Sequence, residues 1–280
     1  MLVGKEFRNK SIIYMEKINM KLDVLVSTMY LDKKTIKKMN IKSNTIVINQ
    51  CEERKEEKII IDDFEHNILS YKERGLSKSR NRAIKASNAD ICLIADDDMI
   101  YEKNLQEIIL GEFERDKTAD IIVFIVERDD KSKKYPFKEG KISYLKSMKC
   151  SSVEIAFRRK KIVENNLEFN ELLGAGAIFT MGEENEFLFK CLKKGLKIKF
   201  VPKKIGTLKT GDSTWFTGYN EKYFIGRGAS FTAMSRYFSF ILILQFAIRK
   251  RKLYEEEQNL REALTFMLKV RKKYLEEKRV

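Results

Sequence analysis

Apolar runs rich in Ile and Val alternate with helix-like stretches up to about residue 200 of the chain. The strand-like runs are 22–27, 45–48, 58–61, 91–95, 121–126, 177–181 and 197–201. The helix-like stretches are 33–39, 77–87, 105–115 and 183–194. Several strand-like runs are continuously apolar, as is typical of strands covered on both faces. The alternation predicts an α/β fold with a mixed, mostly parallel sheet flanked by helices.

No linker rich in proline or glycine divides the chain, which has 2 Pro and 13 Gly in 280 residues. We predict an N-terminal extension over residues 1–20, an α/β domain over 21–218, and a helical C-terminal extension over 219–280. In that extension Leu260, Leu264 and Met267 recur at helical spacing, which predicts that one helical face packs on the body of the protein.

The chain is basic, with 56 Lys and Arg against 41 Asp and Glu, and a formal net charge of +15. Such a field attracts nucleic acid, anionic lipid or phosphorylated small molecules, and its sign does not select among them. The cations are dispersed and do not interleave with aromatic residues as a stacking platform requires. We therefore expect no nucleic-acid partner, and a non-enzymatic nucleic-acid-binding protein is kept as an alternative.

The four cysteines are widely separated and form no CxxC pair, which favours reduced thiols and a cytoplasmic location. Charged residues interrupt the N-terminal segment, so no secretory signal is expected.

The longest apolar run, 238–248, is shorter than the roughly 20 residues that a transmembrane helix needs. A buried helix is the favoured interpretation. The alternative is peripheral contact with an anionic membrane at the inner face of the plasma membrane, because Arg236 and the basic run 249–252 flank the segment.

Three adjacent carboxylates, Asp96, Asp97 and Asp98, follow the strand-like run 91–95. Ligands bind at the carboxyl ends of strands in parallel α/β sheets. Adjacent carboxylates repel one another, and a divalent metal held by Asp98 and Asp96 together with substrate phosphates would offset that repulsion. The alternative is a polar loop in which Asp98 caps a helix beginning near residue 102.

A basic segment precedes the acidic triplet. Its cations are Arg74, Lys78, Arg80 and Arg82. Ser77 or Ser79 can cap the helix that begins here, and a helix N-terminus with nearby cations binds anions. Arg74 and Arg80 flank the helix entrance and are the candidates for a diphosphate contact. The remaining two cations are interpreted as a solvated face.

A second acidic segment follows a run of small residues that includes Gly176, where a ligand could approach the backbone closely. Thr180 and Glu183 have the spacing of a capping box, so Glu183 has a structural explanation. Glu184 has none, and a carboxylate in the first turn of a helix is expected to stay ionised and to suit a general base. Trp215, the single Trp, lies in a loop with glycines at both ends and could stack on a ligand; an ordinary surface loop is the alternative.

The order of four motifs resembles the inverting family 2 glycosyltransferases of GT-A fold. The motifs are 26–28 (VST), 75–81 (GLSKSRN), 95–98 (ADDD) and 182–184 (GEE), and the resemblance covers about residues 22–204. It implies that Asp98 and Asp96 hold the metal and that Glu184, with Glu183 before it, activates the acceptor. It also implies donor-binding roles for Thr28, Tyr30, Asn49, Arg74, Ser79, Arg80, Asp96 and Asp97, and acceptor contacts are assigned to Trp215 and Gly176.

The resemblance implies transfer of one sugar from a nucleotide-diphosphate sugar, UDP-linked, to a hydroxyl of a saccharide or lipid-linked acceptor with inversion. Mg²⁺ or Mn²⁺ is the implied cofactor, and bacterial cell-surface polysaccharide biosynthesis is the implied setting. The chain departs from the family in two places. Asn49 and Gln50 stand where the family has an acidic residue. Many members also carry a histidine late in the fold that helps to bind the metal, whereas the single histidine here is His66. A metal-dependent nucleotidyltransferase is kept as an alternative for the acidic triplet.

Overall fold

The computed structural model describes residues 19–131, 133–135, 138–209 and 218–277. Ten strands lie within these ranges: β1 (Leu22–Met29), β2 (Asn44–Gln50), β3 (Lys55–Ile61), β4 (Phe64–Tyr71), β5 (Ile91–Asp96), β6 (Met99–Tyr101), β7 (Ile121–Arg128), β8 (Gly140–Lys141), β9 (Ile155–Arg158) and β10 (Ile198–Leu208). The same ranges contain nine α-helices: α1 (Lys33–Lys38), α2 (Leu76–Ala86), α3 (Leu105–Arg115), α4 (Tyr144–Ser147), α5 (Arg159–Glu164), α6 (Glu183–Lys193), α7 (Glu221–Met234), α8 (Ser239–Arg249) and α9 (Leu260–Glu277). Short 3₁₀ turns lie at Ser152–Glu154 and Arg251–Leu253.

All ten strands belong to one sheet with the order β3-β4-β2-β1-β5-β9-β7-β10-β6, and β8 pairs with β10. Strands β1, β2, β4 and β5 are parallel neighbours, and β9 lies antiparallel between β5 and β7. Because β10 is parallel to β7, the strands β1, β2, β4, β5, β7 and β10 all run in one direction. The predicted mixed, mostly parallel sheet is confirmed.

The alternation of side chains along each central strand builds two apolar layers. On β1, Val24 and Val26 belong to one core cluster and Leu25 to the other. Helices α1 and α3 cover the first face of the sheet, and α2, α5 and α6 cover the second. A strand between two helical layers has no polar face, which explains why the central runs are continuously apolar.

Two local predictions are wrong. Residues 177–181 form no strand, and only an isolated bridge joins Phe179 to Leu173. Strand β4 was missed because its sequence mixes polar and apolar residues and only alternate side chains are buried. It is hydrogen-bonded to β2 on one side and to β3 on the other, so backbone pairing holds it in the sheet.

Helices α7, α8 and α9 share a third apolar cluster that includes Phe224, Ile243 and Met267. Helix α8 buries Leu242, Ile243 and Ala247 while its other side is exposed, so the prediction of a buried helix is correct for one face only. Among the described residues, none of the helices combines the length and the apolar character that crossing a bilayer requires.

Gly182 lies where α6 meets α7. Its φ is +84°, and a Cβ placed on it would overlap the Ser230 hydroxyl and lie 2.6 Å from Ser230 Cβ. A side chain at this position therefore faces both an unfavourable backbone conformation and a steric conflict with α7. This close approach fixes the start of α6 against the helical extension.

We expect Gly182→Ala to destabilise the fold by about 2–4 kcal/mol, which combines the left-handed backbone with overpacking. Gly111→Ala is the matched control, because Gly111 is inside α3 and a Cβ there would meet no heavy atom within 4 Å. Removing a helix-interior glycine should stabilise by about 0.5–1 kcal/mol. Chemical denaturation measures both changes, and equal effects of the two substitutions would contradict the proposed contact.

Candidate active site

The acidic triplet lies at the carboxyl edge of the parallel strands. Asp96 is the last residue of β5 and is in register with Ser27 on β1. Strand β6 begins at Met99, and the N-cap of α3 is Asn104, so Asp98 is not the helix cap of the alternative interpretation. The edge is therefore built by the ends of β1 and β5.

Asp97 and Asp98 have different surroundings. The Thr28 hydroxyl donates a hydrogen bond to the Asp97 carboxylate. Asp98 is exposed at the surface, but neighbouring protein atoms displace water from part of its carboxyl. This loss of solvation, together with repulsion from Asp96 and Asp97, raises the pKa of Asp98 to about 6.

The triplet supplies carboxylate oxygens of the kind that hold a metal ion when the substrate provides the other ligands. Across the described ranges, no group of three or more His, Cys, Asp or Glu side chains is arranged to hold a metal ion. Mg²⁺ is usually bound by one or two carboxylates and by substrate phosphates. The oxygen donors and the unbalanced negative charge at Asp98 fit a cation that binds together with a diphosphate.

Arg80 links the triplet to the second acidic segment. Its side chain is 1% exposed; Nη1 donates to Glu183 Oε1 at 2.8 Å, and Nη2 lies 3.2 Å from Asp96 Oδ1. Nη2 also donates to Ser152 Oγ at 2.8 Å. Burial disfavours the charged guanidinium, but Asp96 and Glu183 outweigh it and the pKa of Arg80 is raised. The predicted diphosphate contact does not follow from this geometry, because the guanidinium is enclosed by protein carboxylates.

The start of α2 differs from the prediction that a serine caps it. Gly75, with φ of +122°, is the N-cap, and neither serine caps the helix. Ser77 donates to the Leu173 carbonyl at 2.7 Å, and Ser79 donates to Ser27 Oγ at 2.8 Å. Both hydroxyls are buried and attach α2 to neighbouring elements, so their contacts are structural in this arrangement.

The small-residue run packs against the same helix start. The Leu76 backbone N–H donates to the Ala175 carbonyl at 2.9 Å. A Cβ on Gly176 would lie 3.2 Å from the Gly75 nitrogen, so a larger residue would crowd the backbone here. Gly176 itself is exposed, which leaves its predicted acceptor contact open to a ligand. Trp215 lies outside the described residues.

Tyr30 and Arg74 form a cluster with Glu52, a residue that the motifs did not identify. Arg74 Nη2 donates to the Tyr30 hydroxyl at 2.6 Å and also contacts the Glu52 carboxylate. The guanidinium carbon lies 5.1 Å from the centre of the Tyr30 ring, and Tyr30 is 61% exposed. The cluster presents an aromatic surface and a cation next to the ends of β1 and β4.

Asn49 directs its amide into the protein. Its Oδ1 accepts from the Leu31 backbone N–H at 3.0 Å, and its Nδ2 donates to Ser70 Oγ at 3.0 Å. The neighbouring Gln50 is buried and donates to the Gly75 carbonyl at 3.1 Å. These two amides therefore fix the loops that follow β1 and β4.

Glu183 and Glu184 begin α6, whose N-cap is Gly182 and not Thr180, so the predicted capping box is wrong. Burial and the charge of Glu183 raise the pKa of Glu184 to about 8, while Arg80 and Arg227 act in the opposite direction. Loss of solvation therefore opposes the helix N-terminus, which was expected to keep Glu184 ionised. A carboxylate with a pKa near neutrality suits proton transfer.

Arg227 is a residue of the site that the motifs missed. It lies on α7, where Nη2 donates to the Tyr223 hydroxyl at 3.1 Å. Its guanidinium carbon lies 5.4, 5.9 and 5.3 Å from the ring centres of Tyr223, Phe231 and Phe246. The charge of Arg227 favours the ionised form of Glu184. No local sequence pattern marks this residue, since its role depends on the packing of α7 beside α6.

A cavity of about 370 Å³ lies between residues 178–180 and the start of α7. Its wall combines apolar and polar side chains, among them Ile178, Phe179, Thr180, Asn220 and Ile225. Phe179 and Thr180, which line the cavity, are close in sequence to Glu184, the candidate base.

The geometry is thus a mixed, mostly parallel sheet with an acidic triplet at the carboxyl end of β5. The model of the family described as "Glycosyl transferase family 2" matches residues 41–179, so the chain carries a domain of that family and is a glycosyltransferase. The predicted family and enzyme class are confirmed. No curated protein sequence matches the chain.

Solved structures of TarS from S. aureus share the fold. TarS 1-349 in complex with UDP-GlcNAc is 13% identical, with a TM-score of 0.60 over 85% of this chain and 74% of that chain. TarS 1-349 in complex with UDP is 13% identical, with a TM-score of 0.59 over 90% of this chain and 81% of that chain. At this identity the likeness concerns architecture, and the predicted GT-A-like fold is confirmed.

We expect Arg80→Met to destabilise the protein by about 3–5 kcal/mol, because it leaves the Asp96 and Glu183 carboxylates without their buried partner. Arg82→Met is the control two residues along α2. Arg82 pairs with Glu73 at the surface, and its removal should cost about 0–1 kcal/mol. Urea denaturation distinguishes the two, and similar losses would show that the Arg80 bridge is not the stabilising contact inferred here.

Proposed function

We propose that the protein transfers a single sugar from a nucleoside-diphosphate sugar to an acceptor hydroxyl with inversion. The observation that carries this proposal is the Asp96–Arg80–Glu183 bridge, which ties the acidic edge of β5 to the helix turn that bears Glu184. The bridge thereby places acids that could serve the donor and a carboxylate that could serve the acceptor in one site. The match to the family over residues 41–179 supports the same reaction class.

We assign donor binding to the edge formed by β1, β4 and β5. Tyr30 offers an exposed ring for a nucleotide base, and Arg74 next to it offers a positive charge. Thr28 and Asp97 form the wall of the same edge through their hydrogen bond. Asn49 and Ser79 support this edge indirectly, since their side chains form hydrogen bonds with other protein groups. The UDP and UDP-GlcNAc bound by TarS support a UDP-linked donor.

A Mg²⁺ or Mn²⁺ ion would be held by Asp98, where it would stabilise negative charge on a leaving diphosphate. Asp96 was predicted as a second ligand, but one of its oxygens accepts from Arg80. We therefore assign Asp96 to positioning and Asp98 to direct contact. Arg80 then neutralises Asp96 and Glu183 without touching the donor.

In the reaction that we propose, the acceptor oxygen bonds to the anomeric carbon while the bond from that carbon to the diphosphate breaks. Glu184 accepts the proton from the acceptor hydroxyl, and the nucleoside diphosphate leaves. Glu183 remains paired with Arg80 and sets the charge next to Glu184. Gly176 and the cavity beside Thr180 are the proposed acceptor contacts.

The acceptor is a saccharide or a lipid-linked saccharide, and the setting is bacterial surface polysaccharide synthesis at the cytoplasmic side of the membrane. The raised pKa of Glu184 supports a hydroxyl acceptor, since a base of pKa about 8 can take up a hydroxyl proton as the bond forms. A nucleotidyltransferase would instead release pyrophosphate, and this product separates the two reactions.

Glu184→Gln should lower turnover by about 10²–10⁴-fold while leaving the Kd for the nucleoside diphosphate nearly unchanged, because general-base assistance is lost. In the unmodified enzyme kcat/KM should increase as the pH rises through about 8, since the base must be deprotonated in the free enzyme. The variant should lack this rise. Glu164→Gln on the surface of α5 is the control, and parallel loss of binding and turnover in Glu184→Gln would assign that residue a structural role.

A panel of nucleotide sugars with Mg²⁺ or Mn²⁺ should yield free nucleoside diphosphate for at least one donor. Asp98→Asn should abolish the metal-dependent part of donor binding, measured by calorimetry with UDP and metal. Asp63→Asn is the control, because Asp63 has a φ of +68° in a turn where Asn is well tolerated. Release of pyrophosphate in place of nucleoside diphosphate would overturn the proposal.

A further inference from the structure

Helix α8 and the residues before it expose a continuous set of large apolar side chains. The set, called here the α8 apolar face, comprises Tyr237, Phe238, Phe240, Ile241, Leu244 and Ile248. These side chains are between 40% and 84% exposed. Apolar residues scattered singly on a surface are ordinary, but a contiguous group on one helix marks an interaction site.

The face is held in place by contacts on the opposite side of the helix. Leu242, Ile243 and Ala247 are buried in the cluster shared with α7 and α9. Arg271 Nε on α9 donates to Ser239 Oγ at 2.9 Å, and the Tyr254 hydroxyl donates to the Ala247 carbonyl. Because these contacts fix the inner side, the outer side is presented as a rigid apolar surface.

Positive charge borders the face at both ends. Arg236 precedes it, and the run 249–252 (RKRK) follows it, with every one of these residues exposed. Carboxylates at 255–257 reduce the local charge, and Glu255 lies 3.4 Å from Arg251, but residues 236–257 still hold five cations against three anions. Apolar side chains bordered by cations complement an anionic lipid surface, where aromatic rings sit at the headgroup level.

The dimensions of α8 restrict the binding mode. Its 11 residues extend about 16 Å, roughly half of the hydrocarbon thickness of a bilayer. We propose that the α8 apolar face docks the protein on an anionic lipid bilayer, with α8 lying in the plane of the headgroups. This inference goes beyond the proposed reaction and does not depend on it, because binding to lipid can be measured without any donor or acceptor.

The test is cosedimentation of the full chain with vesicles of phosphatidylglycerol and phosphatidylcholine, compared with phosphatidylcholine alone. Binding to the anionic vesicles should be at least about tenfold tighter and should weaken as salt is raised. Ile241→Gln/Leu244→Gln should lower this binding at least about tenfold, because two side chains no longer enter the apolar boundary. Both positions are exposed, so the thermal unfolding midpoint should change little.

The charge contribution is tested by the triple substitution Arg249→Gln/Lys250→Gln/Lys252→Gln, which should reduce binding toward the level seen with phosphatidylcholine. Two matched controls remove two exposed apolar side chains or three cations elsewhere. They are Ile60→Gln/Val163→Gln and Lys117→Gln/Lys160→Gln/Lys161→Gln, all at exposed positions. Both controls should bind anionic vesicles as the unmodified protein does.

Four results would overturn the proposal. Equal binding to neutral and anionic vesicles would remove the role of the cations. Equal losses in the basic-run variant and its lysine control would show that net charge alone is responsible, and equal losses in the two apolar variants would show that the α8 apolar face is not the contact. Self-association in the absence of lipid that Ile241→Gln/Leu244→Gln abolishes, with no vesicle binding, would assign the face to a second copy of the chain.

Discussion

The buried guanidinium of Arg80 is the interaction on which the candidate site depends. A charged group enclosed by protein is tolerated only when opposite charges and hydrogen bonds replace its water. Arg80 meets this condition with Asp96, Glu183 and Ser152. These partners come from the end of β5, the start of α6 and the turn before β9, so one side chain joins three separate parts of the fold.

This bridge divides the carboxylates of the site into two kinds. Asp96 and Glu183 are paired with Arg80, whereas Asp98 and Glu184 have pKa values raised to about 6 and about 8. In both raised cases loss of solvation acts first and an adjacent carboxylate adds to it. Perturbed carboxylates next to paired ones are the arrangement expected where acid, base and metal chemistry are separated. The paired residues hold the geometry, and Asp98 and Glu184 are the carboxylates to which the proposed reaction assigns binding and proton transfer.

The sequence predicted the elements whose apolar pattern directly reflects their burial. Strands β1, β5 and β7 and helix α3 were predicted because their apolar pattern matches a sheet covered on both faces. The helix starts were less predictable, since Gly75 and Gly182 begin α2 and α6 through positive φ angles and not through side-chain caps. The capping propensity of Ser77 or Thr180 can be read from the local sequence. The positions of Gly75 and Gly182 instead depend on packing against segments that are distant in the chain.

The same distinction applies to the site. The candidate acids and Glu184 were chosen because their types and spacing are visible in one segment each. The inward direction of Arg80 was not, since a basic helix face looks the same in sequence whether its members are solvated or buried. Glu52 and Arg227 could not be found either, because each acquires its role from contacts between elements far apart in the chain.

Helix α8 has an exposed apolar face and also packs on Arg227 in the interior of the helical extension. Phe246, on α8, lies 5.3 Å from the Arg227 guanidinium, and the charge of Arg227 favours ionised Glu184. A cation held against aromatic rings keeps a defined position only while those rings stay packed. The packing of α8 therefore contributes to the electrostatic environment of the candidate base, although no residue of α8 is needed to touch a substrate. This gives the extension a role in the site that differs from simple coverage of the α/β core.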